Sequence, residues 1–276
     1  MEENDLYRER QSQAKQWVKQ RYGTIAENAQ QGCCGPSRCC GAASTVAESI
    51  GYTPEDLAAV PTGANLGLGC GNPLALAGIT PGETVLDLGS GAGFDAFLAA
   101  ARVGPTGRVI GLDMTPEMIA QAQANAANGD YSNIEFRLGD IESLPVESNS
   151  VDLVISNCVL NLVPDKEQAF REIVRVLKPG GRLAVSDIVL DAPLPDALQS
   201  NEGAYCSCIS GAIGREEYLA KLAAAGLRDV HVVSAVDAAA LLAQDCCGGG
   251  VTESELSGVV TSLHITARKA ESGETR

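Results

Sequence analysis

From residue 83 onward, short apolar runs alternate with longer amphipathic ones. "ETVLDLG", "GRVIGLD" (107–113), "IEFRLGD" (134–140), "VDLVISN" (151–157) and "RLAVSDIVL" (182–190) read as buried strands. Between them, "SGAGFDAFLAARV" turns from loop into helix, and "TPEMIAQAQANAAN" (115–128) is a helix with Thr115 as cap and Pro116 in its first turn. "PDKEQAFREIVRVL" (164–177) has the helical period, and "KPGG" turns it into the next strand. Strands and helices alternating at these lengths predict an α/β fold built on a doubly wound, mostly parallel sheet.

The flanks are less regular. Residues 4–30 carry a thin apolar stripe at Leu6, Trp17, Val18, Tyr22 and Ile25, which predicts an N-terminal helix. "GCCGPSRCCGAAS" (32–44) and "PTGANLGLGCGNP" (61–73) read as loops around a short helix at 52–60, capped by Thr53 with Pro54 in its first turn. After residue 190 a helix (215–226) and two strands (228–235 and 259–269) remain, with "QDCCGGG" (244–250) between the strands. The chain thus divides into an N-terminal helix with cysteine-rich loops (1–72), a regular α/β core (73–190) and a smaller C-terminal α+β region (191–276).

Charge narrows the partners. The 35 acids outnumber the 20 bases, for a net charge of −15, so nucleic acid and anionic membrane surfaces are not expected to bind. The first residues are charged without an apolar h-region, and no apolar run reaches the length of a membrane span. A cytoplasmic protein is expected. In a reducing compartment, its 10 cysteines point to metal-binding or catalytic thiols rather than structural disulfides.

"VLDLGSGAG" places Gly89, Gly91 and Gly93 at the carboxyl end of the first core strand, where glycine lets backbone approach a ligand. The spacing is G-x-G-x-G, which by itself is a weak signal. Asp113 ends the second strand at the separation where an acid grips ribose hydroxyls, and Asp140 ends the third at the same rim. Asp87 is placed to orient the loop or meet a cationic ligand tail. Either rim acid alone reads equally well as a cap for the adjoining helix or turn. Together with "VIGLDMTPEM", "GDIESLP" and "FREIVRVLKPGGRLAVSD", this set resembles the motifs of class I (Rossmann-like) S-adenosylmethionine-dependent methyltransferases. The resemblance implies S-adenosylmethionine as cofactor. Asp113 would hold the ribose, Asp140 and Ile141 the adenine, and Gly89 and Gly91 the methionine portion. Asp87, Met114 and Asn157 would complete the contacts.

Thiols supply the substrate clue. Cys158 lies one residue beyond the fourth core strand, Cys70 shortly before the first, and Cys206 and Cys208 follow the fifth. All three segments can reach the carboxyl-end rim where ligands of such sheets bind. A lone buried cysteine is as often a small hydrophobe. Several thiolates in one pocket select soft ions, and no C-x₂-C pair announces zinc. His231 and His264 lie in expected strands of the last third and read as structural, remote from the methyl donor.

"ISNCVLNLVPDK", "LGLGCGNPLALAGITPGETVLDLGSGAGFDAF" and "CISGAI" closely resemble arsenite S-adenosylmethionine methyltransferases over residues 33–235. The resemblance implies Cys158 and Cys208 as the arsenic-binding pair and Cys70 as the third thiol. A further family cysteine falls in the 33–40 loop, where Cys40 matches by spacing and Cys39 is adjacent. It also implies arsenite or its thiol conjugates as substrate, a monomer, and a cysteine disulfide formed in turnover and reduced by thioredoxin or glutathione. Cys33–Cys34, Cys39–Cys40 and Cys246–Cys247 form extra vicinal pairs, which read either as two-thiolate clamps on a soft ion or as surface thiols that relay electrons or do nothing. Two alternatives stay open: methylation of a small organic metabolite, or a non-catalytic thiol-rich protein that binds metalloid.

Overall fold

The computed structural model describes residues 2–28, 43–129, 131–199, 201–243, 251–271 and 273. Cys33, Cys34, Cys39, Cys40, Cys246 and Cys247 lie outside them.

The strands are β1 (Thr84–Leu88), β2 (Arg108–Asp113), β3 (Ile134–Leu138), β4 (Val151–Asn157), β5 (Leu177–Leu190), β6 (Leu227–Asp237) and β7 (Val260–Lys269). They form one sheet in the order β3-β2-β1-β4-β5-β7-β6. β1 to β5 pair in parallel, while β7 runs antiparallel to both β5 and β6. The order reverses between β1 and β4, so their carboxyl ends open a crevice at the switch point.

Val85, Leu86 and Leu88 of β1 and Leu153, Val154 and Ile155 of β4 are buried on both faces, because helices cover both sides of the sheet. One apolar layer packs α4 (Phe94–Val103) and α5 (Pro116–Ala127), with Phe97 against Phe136. The opposite layer packs α6 (Lys166–Val176) and α9 (Arg215–Ala224), with Phe170 against Tyr218.

The N-terminal helix, α1 (Glu2–Asn28), meets α5, the 3₁₀ turn Leu160–Leu162 and α8 (Glu202–Cys206), so it roofs the carboxyl-end rim. Its seam is narrow: Ala14, Val18 and Ala26 are buried. Two short helices, α2 (Ala43–Ser49) and α3 (Pro54–Ala58), follow, and α7 (Asp196–Gln199) precedes α8. In α3 Thr53 closes a capping box: its hydroxyl accepts from Asp56 N at 3.2 Å, and the Asp56 carboxylate accepts from Thr53 N at 3.0 Å.

Two local expectations fail. α2 begins inside the span read as loop, because its 7 residues are too few to show a helical period. "KPGG" is not a free turn but an extension of β5: Leu177 pairs with Val151 and Arg182 with Leu153, so the intervening residues bulge around Gly180 at φ 75°.

Candidate active site

The glycine loop is built as a cradle. Gly89, Gly91 and Gly93 have φ of 66°, 51° and 97°, and a Cβ on Gly89 would collide with Val159. Asp113 shapes the loop, accepting from Gly91 N at 3.0 Å and from Thr115 N at 2.8 Å. Asn125 pins the far side by donating to Ala92 O at 3.0 Å. Beneath the loop, Asp87 is 2% exposed and its Oδ2 has no hydrogen-bond partner. Burial, then the charges of Asp95 and Asp113, push its carboxyl well above the usual range. A buried acid so destabilised favours a cation arriving beside it.

Asp140 sits at the rim but is engaged. It accepts from Lys15 Nζ of α1 at 2.7 Å and from Glu142 N at 3.0 Å. Lys15 also donates to Glu142. Ile141 is buried in the core, and Met114 packs against the apolar residues around the thiols.

Asn157 ends β4 and binds the loop that carries Cys70. Its Oδ1 accepts from Cys70 N at 3.1 Å, and its Nδ2 donates to Gly71 O at 2.8 Å and to Tyr52 Oη at 3.0 Å. Tyr52 in turn donates to Asp95 at 2.6 Å. Burial raises the Asp95 carboxyl to about 6, against the opposing donors Tyr52 and Asn157. Glycine is required at positions 69 and 71, where a Cβ would meet Asn157 in one case and Ser186 and His264 in the other.

Three distant segments deliver their cysteines to one place. Cys70, Cys158 and Cys208 are 4%, 9% and 3% exposed, unbridged, and in one apolar cluster with Val18, Leu162 and Ile209. The neighbouring thiols of Cys208 and Cys70, together with burial, push the Cys158 thiol well above the ordinary thiol range. Burial likewise raises Cys70. The Cys208 thiol donates to Cys158 O at 2.9 Å, and the Cys70 thiol to Ser186 O at 3.5 Å. Ser262 of β7 donates to Cys70 O at 2.7 Å, tying the loop down from below. Cys158 and Cys208 hold φ of 59° and 63°, the left-handed region that costs a residue with a side chain about 1–2 kcal/mol. Among the described residues, no group of His, Cys, Asp or Glu is spaced as a metal-ion cage.

Several residues here went unanticipated. Tyr52, Asp95 and Lys15 act through contacts that nothing in local sequence encodes. His264, read as remote, pairs with Ser186 across β5 and β7 and abuts Gly71, because β7 inserts beside β5 rather than at an edge. Burial lowers its pKa. A polar cluster also lies under the thiols: Asn161 donates to Asp187 at 2.6 Å, Tyr218 donates to Asp187 at 3.0 Å, and the buried Lys166 donates to Asn161 O and Val163 O, both at 3.1 Å. Its signal was visible as an acid inside the apolar run "RLAVSDIVL".

The chain matches a methyltransferase-domain family over residues 79–226. It is 49% identical to an arsenite methyltransferase of Halobacterium salinarum over 80% of this chain and 59% of that protein. It is 40% identical to the human arsenite methyltransferase over 47% of this chain and 37% of that one. The chain therefore spans well under two thirds of these curated relatives. Among solved structures it resembles an arsenic(III) S-adenosylmethionine methyltransferase from Chlamydomonas reinhardtii, with 31% identity, a TM-score of 0.60, and coverage of 84% of this chain and 75% of that one. By its domain and its relatives, the chain belongs to the arsenite methyltransferase family of class I S-adenosylmethionine-dependent methyltransferases.

Proposed function

We propose that this chain transfers a methyl group from S-adenosylmethionine to As(III) held by Cys70, Cys158 and Cys208. The observation that carries the reading is the burial of Cys70, Cys158 and Cys208 in one cluster beside the switch-point crevice, with the Cys208 thiol donating to Cys158 O. The donor set suits the cofactor: a glycine cradle, the unpartnered Asp87 oxygen and the loop-shaping Asp113 lie together. When bound, S-adenosylmethionine supplies an electrophilic methyl group. Asp87 would face its cationic tail, Gly89 and Gly91 would leave room for its methionine portion, and Asp113 would accept from its ribose. Asp140, Ile141 and Met114 meet the adenosine once Lys15 gives way. Asn157 serves the site differently from a ligand contact, by fixing the Cys70 loop.

Arsenite, As(OH)₃, exchanges each hydroxide for a thiolate, and the thiol proton leaves with it as water. The raised thiols of Cys70 and Cys158 are therefore no obstacle. The side chains turn so that the three sulfurs share one arsenic, whose lone pair is the nucleophile. No side chain has to remove a proton, and the protein contributes chiefly alignment, which supplies several kcal/mol. Residues 73–190 carry the cofactor, and 1–72 and 191–276 bring the outer thiols. Cys40, a disulfide relay, and thioredoxin or glutathione as reductant complete the cycle as proposals from family likeness. A monomer in the cytoplasm fits the reading, and no helix among the described residues is long and apolar enough to cross a membrane.

Incubating purified chain with S-adenosylmethionine, thiol reductant and arsenite tests the proposal. Methylated arsenic is expected from the wild type, with a loss of at least about 100-fold in Cys158→Ser. Equal activity in that variant rejects the site. Arsenite binding without consumption of methyl donor identifies a metalloid-binding protein instead.

A further inference from the structure

We infer that Asp187 is the buried counter-charge of the methyl-transfer step, a positioning residue that balances the cation formed on arsenic. The inference rests on the arsenite reading of the site.

The step itself creates the need. Arsenic bound to three thiolates is neutral. Its lone pair forms the As–C bond while the C–S bond of the sulfonium breaks, the electron pair leaving with sulfur as an uncharged thioether. Arsenic rises from the +3 to the +5 state and takes over the positive charge. That charge then lies among thiols at most 9% exposed, out of reach of water. An uncompensated charge in such a place is costly, and a fixed opposite charge offsets it.

Asp187 is the acid placed to do so. It is 0% exposed and follows Ser186, whose carbonyl accepts from both Cys158 N, at 2.7 Å, and the Cys70 thiol. Its carboxylate takes Asn161 Nδ2 on one oxygen and the Tyr218 hydroxyl on the other. Asn161 lies three residues beyond Cys158, and a Cβ on Gly211 would overlap its carbonyl, so the loop after Cys208 closes on the same residue. One residue, Asn161, thus stands between the segments of both left-handed cysteines and the acid. Charge on Asp187 is felt at the Cys70 sulfur, whose thiol it helps raise.

The groups facing Asp187 fix its state. Burial raises its carboxyl to about 7, opposed by Lys166 of α6, Tyr218 of α9 and the Ile188 and Asn161 donors. Burial lowers Lys166 to about 8, while Asp187 and Cys208 oppose that drop. Lys166 donates to Asn161 O and Val163 O rather than to Asp187, so it opposes the acid's charge without a direct ion pair. Arsenic lies nearer to β5 than the sulfonium does in this reading, so Asp187 attracts the charge more strongly as it moves. Attraction that grows along the reaction lowers the barrier.

Asp187→Asn keeps the shape and the bond from Asn161 while deleting the charge, and the Tyr218 hydroxyl turns to accept from the new amide. Lys166 then stands unopposed, so Lys166→Met in the same chain should relieve part of the defect. Arsenite capture is followed through fluorescence of the sole tryptophan, Trp17, which packs edge-on to Tyr205. Cofactor binding is followed by calorimetry and methyl transfer by single turnover. Asp187→Asn is expected to bind arsenite as the wild type does and to transfer methyl about tenfold more slowly. It should bind S-adenosylmethionine about threefold more weakly, with S-adenosylhomocysteine unchanged. The double variant should be faster than Asp187→Asn alone. An Asp187→Asn chain with the wild-type rate overturns the inference, as does one whose arsenite binding falls in step with its rate. A double variant no faster than the single also overturns it. A wild type that forms no methylarsenic overturns the arsenite reading and the counter-charge together, whereas the preceding outcomes remove the counter-charge alone.

Discussion

Cys158 follows the last residue of β4 and turns left-handed at φ 59°, and Cys208, just past the end of α8, does so at 63°. Neither residue type favours that region, so surrounding contacts hold them there. Cys158 N donates to Ser186 O at 2.7 Å, and Cys208 N donates to Tyr205 O at 3.0 Å. Strained backbone of this kind gathers where geometry has to be held for chemistry. Cys158→Gly is expected to fold within about 1 kcal/mol of the wild type in urea titration, since glycine accepts the angle freely. Cys158→Val should lose more than about 1 kcal/mol, because a branched side chain is disfavoured there. The sequence disclosed the thiols through their position past a strand end. It concealed their backbone conformation, because cysteine carries none of the signature that glycine or asparagine gives to such a turn.

At the scale of elements, Asn157 couples β4 to the loop before β1 through three side-chain hydrogen bonds to Cys70, Gly71 and Tyr52. Replacing it by alanine leaves Cys70 N and Gly71 O without these partners. A loss of about 1–3 kcal/mol in urea titration is expected for each buried group left unsatisfied, together with slower arsenite capture. The strands and principal helices were legible, since apolar runs and helical periods set them locally. The role of Asn157 was not, because its partners in the Cys70 loop lie more than 80 residues away in sequence. The same holds for α1, whose thin stripe predicted a helix but not its place across the rim. Lys15→Met unlatches that helix from Asp140. The pair is partly exposed and worth about 1 kcal/mol or less, so its effect should appear as faster cofactor entry at low salt and vanish at high salt in stopped-flow binding.

The whole molecule carries its acids unevenly. Asp95 is raised to about 6 and Asp187 to about 7, both chiefly by burial, against an unfolded value near 3.9. The native chain keeps these protons where the unfolded chain has lost them. Their contribution to stability is therefore complete below about pH 4 and disappears as pH rises through 6 and 7. Lys166, lowered to about 8, has a cost that stays constant below that value, so it does not mask the decline. Melting temperature is expected to fall from pH 4 toward pH 7 in scanning calorimetry, and Asp95→Asn should flatten part of the slope. Added potassium chloride should raise it at neutral pH by screening a net charge of −15. The sheet's parallel core followed from the alternation of strands and helices, while the insertion of β7 between β5 and β6 did not, since strand order depends on packing beyond any local signal.

That insertion governs when the molecule becomes whole. Ser262 reaches Cys70 across 192 positions of chain, and β7 supplies the neighbour for the entire length of β5 beyond Arg182. A ribosome has released the glycine cradle and all three site thiols long before it delivers that last strand. Until then the nascent polypeptide exposes reactive sulfur without the strand that seats Cys70, and oxidants or stray metal meet it during synthesis rather than after.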